Sequence, residues 1–276
     1  MFKGPSQAAT ALGFGQPSAW TTLPGGRTNR LVLGAFADGK RVFKFFNESR
    51  SNPLFPNAID DEQNALEALA GTGLAPTPRG RVNTDFGACI VYDFVDGAVP
   101  EQTSIDTIKA LSRLHAQKPG KGMRQIFGDP ADIVKQGLSF IADDHSDRAA
   151  KLRNSVPEVP KLKPASVCFL HADPTPANSI MTPQGITFVD WQCPATGDPV
   201  HDLAIALSPA MHVVDGAEPL QPTQIERFLD AYGDAGVTQR YRALSPLYHW
   251  RMACYCQWKA QAGAAEFAAA GLAEVS

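Results

Sequence analysis

The chain reads as an α+β protein in two parts, a small N-terminal antiparallel β-sheet followed by a larger, mainly helical remainder. Three observations predict this. Up to residue 97, short apolar runs alternate with tight-turn signals such as Pro24-Gly25-Gly26 and Asp38-Gly39. Beyond that point, apolar residues recur at helical spacing, as in Ile105, Ile108, Leu111 and Leu114. Late in the helical part, an apolar strand over residues 167–170 runs into a loop and hairpin that carry two aspartates and an asparagine. Between the two kinds of pattern lies a strand that ends in a turn at Asp93-Phe94-Val95-Asp96-Gly97.

Composition narrows the class. A chain of 276 residues with 44% hydrophobic and 19% charged residues is an ordinary globular sequence, long enough for a substantial core. A net charge of −3 argues against a nucleic-acid surface. No apolar run is long enough to span a bilayer, and Met1-Phe2-Lys3-Gly4-Pro5-Ser6 lacks the sections of a signal peptide. Cys89, Cys168, Cys193, Cys254 and Cys256 are odd in number and sit in mostly apolar contexts, which reads as buried thiols in a cytoplasmic protein. Nothing in the sequence signals an oligomeric state.

The first part begins with a short helix over residues 6–14. Residues 19–23, 30–36 and 42–46 follow as strands. The connection Gly25-Gly26-Arg27-Thr28-Asn29 is either a plain hairpin turn or a loop that brings backbone N–H groups and short side chains against phosphates. Lys44 lies among apolar neighbours on its strand. It is either a solvated edge lysine or a phosphate-holding lysine oriented by a helix carboxylate. Residues 59–70 supply that helix, ended by Gly71-Thr72-Gly73, and its candidate partners for Lys44 are Glu62 and Glu67. Residues 79–82 form a short strand, and residues 88–94 a buried one that breaks at Asp93-Phe94-Val95-Asp96-Gly97.

In the second part, residues 104–117 form an amphipathic helix capped by Thr103 or Ser104, and His115 near its end reads as a packed or hydrogen-bonding side chain. Residues 133–141 resume a helix, and residues 149–163 read as helix and then linker because of Pro157 and Pro160. After the strand of 167–170, Pro174 and Pro176 forbid a regular helix, so Asp173 is left on a loop at a strand end. The hairpin of 180–189 then returns Asp190 beside that loop. Two carboxylates and the Asn178 carboxamide converge, which suits holding Mg²⁺ against phosphates while a carboxylate accepts a hydroxyl proton. Asp202 opens a helix over 203–207, as its cap or in a direct role. Residues 241–260 are mostly helical. They form a core helix, or else Tyr248, Trp250, Tyr255 or Trp258 offers an aromatic face to a ligand.

The spacing Asp173-x-x-x-x-Asn178, with Asp190 one hairpin later, is that of the protein-kinase catalytic and metal-binding loops. Ala172 stands where those kinases have Arg, and Asp190-Trp191-Gln192 where they have Asp-Phe-Gly. With Gly197-Asp198-Pro199 and His201-Asp202-Leu203-Ala204, these departures resemble the aminoglycoside phosphotransferase and choline kinase group. The resemblance implies a bilobal, protein kinase-like fold, with the lobe boundary near Gly97 and lobes 1–97 and 98–276, and ATP-dependent phosphorylation of a small-molecule alcohol. Asp173 would then be the catalytic base, and Asn178 and Asp190 the Mg²⁺ ligands. Gly25, Gly26, Thr28, Asn29, Lys44 and Glu62 would serve the nucleotide phosphates, the sequence around Glu62 resembling the family's Glu position. Tyr92, Phe94 and Val95 would form the adenine-binding hinge between the lobes. Asp202 would lie near the acceptor and the catalytic loop, with Asp198 ordering loops. Gly25-Gly26-x-Thr28-Asn29 also looks like choline, ethanolamine and thiamine kinase sequences. With the aromatic C-terminal helix it favours an amino alcohol as acceptor over aminoglycosides, sugars or other metabolites. A nucleotide-binding pseudokinase is the alternative without turnover.

Overall fold

A computed structural model describes residues 2–24, 28–120 and 122–275. The chain forms two compact units, Met1–Ala98 with Ile180–Pro194, and Val99–Ser179 with Ala195–Ser276.

The first unit opens with α1 (Lys3–Ala11). It starts earlier than the sequence suggests because Pro5 falls in the first turn, where a missing N–H costs nothing. Strands β1 (Ala19–Thr22), β2 (Arg30–Phe36) and β3 (Gly39–Phe45), helix α2 (Ile59–Ala68) and strands β4 (Pro78–Thr84) and β5 (Gly87–Asp93) follow. The strands make one antiparallel sheet in the order β1-β2-β3-β5-β4. Period-two alternation buries Val32, Phe36, Phe43, Phe45 and Val91 with Ala8 and Ala9 of α1, and Trp20 meets Phe43 edge-on at 5.0 Å. Central β3 is buried on both faces from Arg41 to Phe45.

The second unit begins with α3 (Ile105–His115), capped by a reciprocal Ser104–Thr107 box, and continues through β6 (Arg124–Ile126), α4 (Pro130–Phe140), α5 (Asp147–Asn154) and β7 (Cys168–Leu170). The chain then makes the ribbon of β8 (Ser179–Thr182) and β9 (Gly185–Phe188), which belongs with the first unit from Ile180 onward. Met181 and Ala98 exchange backbone hydrogen bonds of 2.8 and 3.1 Å there. Back in the second unit, β10 (Ala195–Gly197) lies between β6 and β7. A Cβ on Gly197 would overlap the Ile126 carbonyl oxygen, so this close strand approach requires glycine. The helices α6 (Val200–Ala206), α7 (Pro209–Val214), α8 (Pro222–Tyr232), α9 (Ala235–Gln261) and α10 (Glu266–Ala273) complete the unit. α6 is buried along its whole length, and α9 packs against α4, α6 and α10. All five cysteines are free and buried. No helix among the described residues is long and apolar enough to cross a membrane.

Candidate active site

In the first unit, Lys44 follows from strand periodicity. Phe43 and Phe45 face the apolar core, so Lys44 points to the opposite face, where it is 1% exposed. Its ammonium donates to both Glu62 and Asp190. Glu62 lies in the first turn of α2 with Asp60 and Asp61, where the helix dipole favours negative charge, and it is fully buried beside Ile59, Ala65 and Leu66. Burial raises the Glu62 carboxyl to about 7 against the opposing pull of Lys44. Burial would lower the Lys44 pKa, but Asp190 and Glu62 outweigh it and hold the ammonium charged. Of the two candidate partners, Glu67 instead accepts from Gln63 at 2.8 Å on the exposed face.

Asp190 has φ 60°, a left-handed conformation that aspartate tolerates better than most residues. The residues after it are fixed. The Trp191 indole N–H donates to the Phe188 carbonyl at 2.9 Å, and the Gln192 carbonyl accepts from the Ala58 N–H at 3.1 Å at the start of α2. Asn29 joins this loop. It donates to Gln192 Oε1 at 3.0 Å, exchanges two 2.9 Å hydrogen bonds with Asn57, and accepts from the Asn47 N–H at 3.0 Å. The Asn29 carboxamide is thus engaged within the protein. Thr28 lines a cavity of about 540 Å³ with Arg30, Asn47 and Arg50. Gly25 and Gly26 lie outside the described residues. Tyr92 is buried on β5, and burial raises its phenol pKa. Phe94 and Val95 are half-buried, with the Phe94 N–H bonded to the Lys40 carbonyl at 3.0 Å.

In the second unit, β7 delivers the loop His171-Ala172-Asp173. Ala172 adopts φ 67°, a costly conformation for a residue with a Cβ. Asp202 holds it there. Its fully buried carboxylate accepts from the backbone N–H groups of His171 and Ala172, each at 2.8 Å, and from His115 Nε2 at 3.2 Å. His115 Nδ1 in turn meets the Tyr232 hydroxyl at 2.8 Å. Burial would raise the Asp202 pKa, yet His115 and the neighbouring histidines keep it below the usual carboxylate value. Asp202 is the third residue of α6 and caps nothing, because Pro199 is the cap residue. Of the two readings of Asp202, helix cap or direct role, this rules out the cap. The Asp173 N–H donates to His171 Nδ1 at 3.2 Å. Asn178 Nδ2 donates to the Asp173 carbonyl at 2.9 Å and to its Oδ2 at 3.1 Å, which leaves the Asn178 amide oxygen as an acceptor. Asp198 binds Arg240 Nε at 2.6 Å and the Val200 N–H at 3.0 Å, so it orders loops.

The aromatics of α9 divide. Trp250 stacks on Gly137 of α4, where a Cβ would overlap the indole, and its N–H donates to the Leu152 carbonyl at 2.8 Å. Tyr255 meets Phe140 edge-on at 5.4 Å and Phe267 at 6.0 Å, and Trp258 packs on Phe140 and Tyr255. These three rings join helices. Tyr248 lies apart from them, beside His201 at 6.0 Å between ring centroids.

The structure therefore brings Lys44, Glu62 and Asp190 together in one unit, and Asp173, Asn178 and Asp202 together in the other. Sequence reasoning missed Asn57, Gln192 and Tyr232. The signal for Gln192 was its place directly after Asp190-Trp191, but nothing local marks Asn57 or Tyr232.

A lysine clamped by a helix glutamate and a loop aspartate, and a loop Asp–Asn pair braced by a buried aspartate, define a kinase-like phosphotransfer protein. The chain belongs to the phosphotransferase enzyme family, whose profile matches residues 19–247. No curated protein matches it. Among solved structures it is similar to a putative aminoglycoside phosphotransferase from Ralstonia eutropha, at 16% identity and TM-score 0.66 over 97% of this chain and 92% of that one. It is also similar to spectinomycin phosphotransferase APH(9)-Ia in complex with ADP and spectinomycin, at 14% identity and TM-score 0.60 over 92% and 86%. A third likeness is to choline kinase from Cryptosporidium parvum, at 13% identity and TM-score 0.62 over 93% and 88%. These likenesses establish the bilobal α+β, kinase-like fold.

Proposed function

We propose that the protein transfers the γ-phosphoryl group of ATP to a hydroxyl of a small molecule. The observation that carries this is Lys44, buried and held between Glu62 and Asp190. A fixed ammonium of this kind neutralises phosphate charge at the moment of transfer without reorganising. Asp173 accepts the acceptor's hydroxyl proton as that oxygen attacks the γ-phosphorus and ADP leaves. Its position depends on Asp202 through the Ala172 peptide, so the chemistry rests on orientation more than on covalent participation. Tyr92, Phe94 and Val95 take the adenine, and Gly25, Gly26 and Thr28 approach the phosphates. The donors Asn178 Oδ1 and the Asp190 carboxylate are all oxygen, which suits a hard cation. When bound, Mg²⁺ supplies charge neutralisation across the phosphates.

An amino alcohol such as choline or ethanolamine is the favoured acceptor, on the Gly25-Gly26-x-Thr28-Asn29 pattern. A second reading is a hydroxyl-rich acceptor of the aminoglycoside or sugar kind. It is favoured by the commitment of Trp250, Tyr255 and Trp258 to packing, which removes three of the candidate faces for an ammonium group. Acceptor-dependent ADP formation across amino alcohols, aminoglycosides and sugars tests both. Asp173→Ala is expected to abolish turnover with the fold intact, and Lys44→Ala to weaken nucleotide handling more than Asp173→Ala does. Near-normal turnover by Asp173→Ala would remove the assignment. ATP binding without consumption with every alcohol would make the protein a pseudokinase.

A further inference from the structure

Helix α9 carries a cation that phosphotransfer leaves unused. Arg251 is 2% exposed, its Nη1 donates to Gln136 Oε1 at 3.1 Å, and its guanidinium lies 4.7 Å over the Tyr248 ring. Its Nε and Nη2 have no hydrogen-bond partner among the described residues. These two N–H groups form one edge of the guanidinium, the edge that grips a carboxylate with both donors. Arg79 shows the filled version, with Nε and Nη2 each 2.7 Å from the two oxygens of Asp93.

Two further polar side chains are buried close to Arg251. The Tyr248 hydroxyl is buried and unpaired among the described residues, and the buried His201 imidazole, with its ring centroid 6.0 Å from that of Tyr248, carries one N–H when neutral and has the Ala172 backbone beside it. Arg124 adds a second positive charge that acts on both His201 and Arg251. The carboxylates that could answer these charges are engaged elsewhere. Asp202 serves the His171 and Ala172 N–H groups and His115, Asp198 serves Arg240, and Glu274 serves Ser208, the Ala210 N–H and His249. Burial, aided by the neighbouring positive charges, lowers Arg251 to about 10 and His201 to about 3. A fold that buries a guanidinium edge, a hydroxyl and an imidazole together leaves several donors without acceptors.

We propose that Arg251, Tyr248 and His201 form an internal site for one small oxyanion, the carboxylate or phosphate group of a small molecule or ion. The guanidinium edge takes two of its oxygens, and the hydroxyl and imidazole N–H complete the shell. The site adjoins the catalytic loop, because His201 precedes Asp202 and the Ala172 backbone lies beside its ring. An occupant thus stiffens the peptide that positions Asp173. This holds whichever alcohol is phosphorylated.

The test uses the full chain without nucleotide, in chloride buffers of constant ionic strength. Inorganic phosphate, formate and acetate are titrated separately while the melting temperature is followed, because a ligand of the folded state raises it. A saturable rise with phosphate, or with the carboxylates, is expected, and the responding arm identifies the source. Arg251→Lys keeps the charge and loses the two-donor edge, so affinity falls about tenfold. Tyr248→Phe keeps the ring under the guanidinium and loses the hydroxyl, weakening binding roughly three- to tenfold. Lys44→Ala retains the response, which separates this site from nucleotide-phosphate binding. The proposal is overturned if no oxyanion exceeds chloride, if the response is unchanged in Tyr248→Phe and in Arg251→Lys, or if it vanishes in Lys44→Ala. Should Arg251→Lys fail to fold, Tyr248→Phe decides.

Discussion

Replacing Asp202 by Asn changes one atom and should disconnect the catalytic loop. The carboxylate takes three donors on two oxygens, with Ala172 N–H on Oδ1 and His171 N–H and His115 on Oδ2. A carboxamide offers a single oxygen. With that oxygen kept toward His171 and His115, the new NH₂ group faces the Ala172 N–H, and one buried donor is orphaned at about 1–3 kcal/mol. The two remaining bonds lose charge assistance, about 1 kcal/mol each. Ala172 at φ 67° then has every reason to relax, since its left-handed conformation costs ~1–2 kcal/mol and the restraint on it is gone. Asp173 is the next residue, and misplacement by about 1 Å can cost about 100-fold in rate. The expected result is a loss of about 2–4 kcal/mol in urea unfolding and a fall of about 100-fold in kcat. The KM for ATP should stay near wild type, because Lys44, Glu62 and Asp190 are held by one another. A kcat within threefold of wild type, or an effect carried by the ATP KM, would refute the reasoning.

Three further outcomes follow from the same geometry. Lys44→Met leaves Glu62 buried without a counter-charge and should destabilise by about 3–5 kcal/mol, and adding Glu62→Gln should restore most stability and no activity, as measured by urea unfolding and ATP turnover. His201 has a folded pKa of about 3, below its ordinary 6.5, so below pH 6.5 the unfolded chain binds a proton that the folded chain refuses. Stability should therefore fall by about 2 kcal/mol between pH 7.5 and 5 on this account, a slope absent from His201→Asn; parallel profiles would show that the ring is protonated in the fold. Ala172→Gly removes the strain at φ 67° and should raise stability by about 0.5–1 kcal/mol with activity retained.

Much of this was legible in the sequence because it is local. Turn residues and alternation gave β2, β5 and the ribbon of β8 and β9, and the Ser104 cap with apolar spacing gave α3. The proline pair kept Asp173 on a loop. What escaped is long-range. Asn29 and Gln192 are 163 residues apart, and no local pattern announces a buried amide contact over that distance. Asp202 reads equally as a cap or in a direct role because caps and buried braces use the same residue type, and only the fold shows that its oxygens face the His171 and Ala172 peptides. The α9 aromatics have the same helical spacing whether they line a pocket or join helices. Gly137 and the Leu152 carbonyl decide the matter for Trp250, and neither lies on α9.

The amide cluster of Asn29, Asn57 and Gln192 has a kinetic consequence. In the protein-kinase Asp-Phe-Gly pattern the residue two places after the metal-binding aspartate is a glycine, which leaves the backbone free to take more than one conformation. Here that place is filled by a buried side chain tied to Asn29, with Trp191 fully buried just before it. Turning the loop over would break several buried hydrogen bonds at once and pull an indole from its packing, so this loop keeps one arrangement. For the proposed phosphotransfer, progress curves should therefore start without a lag.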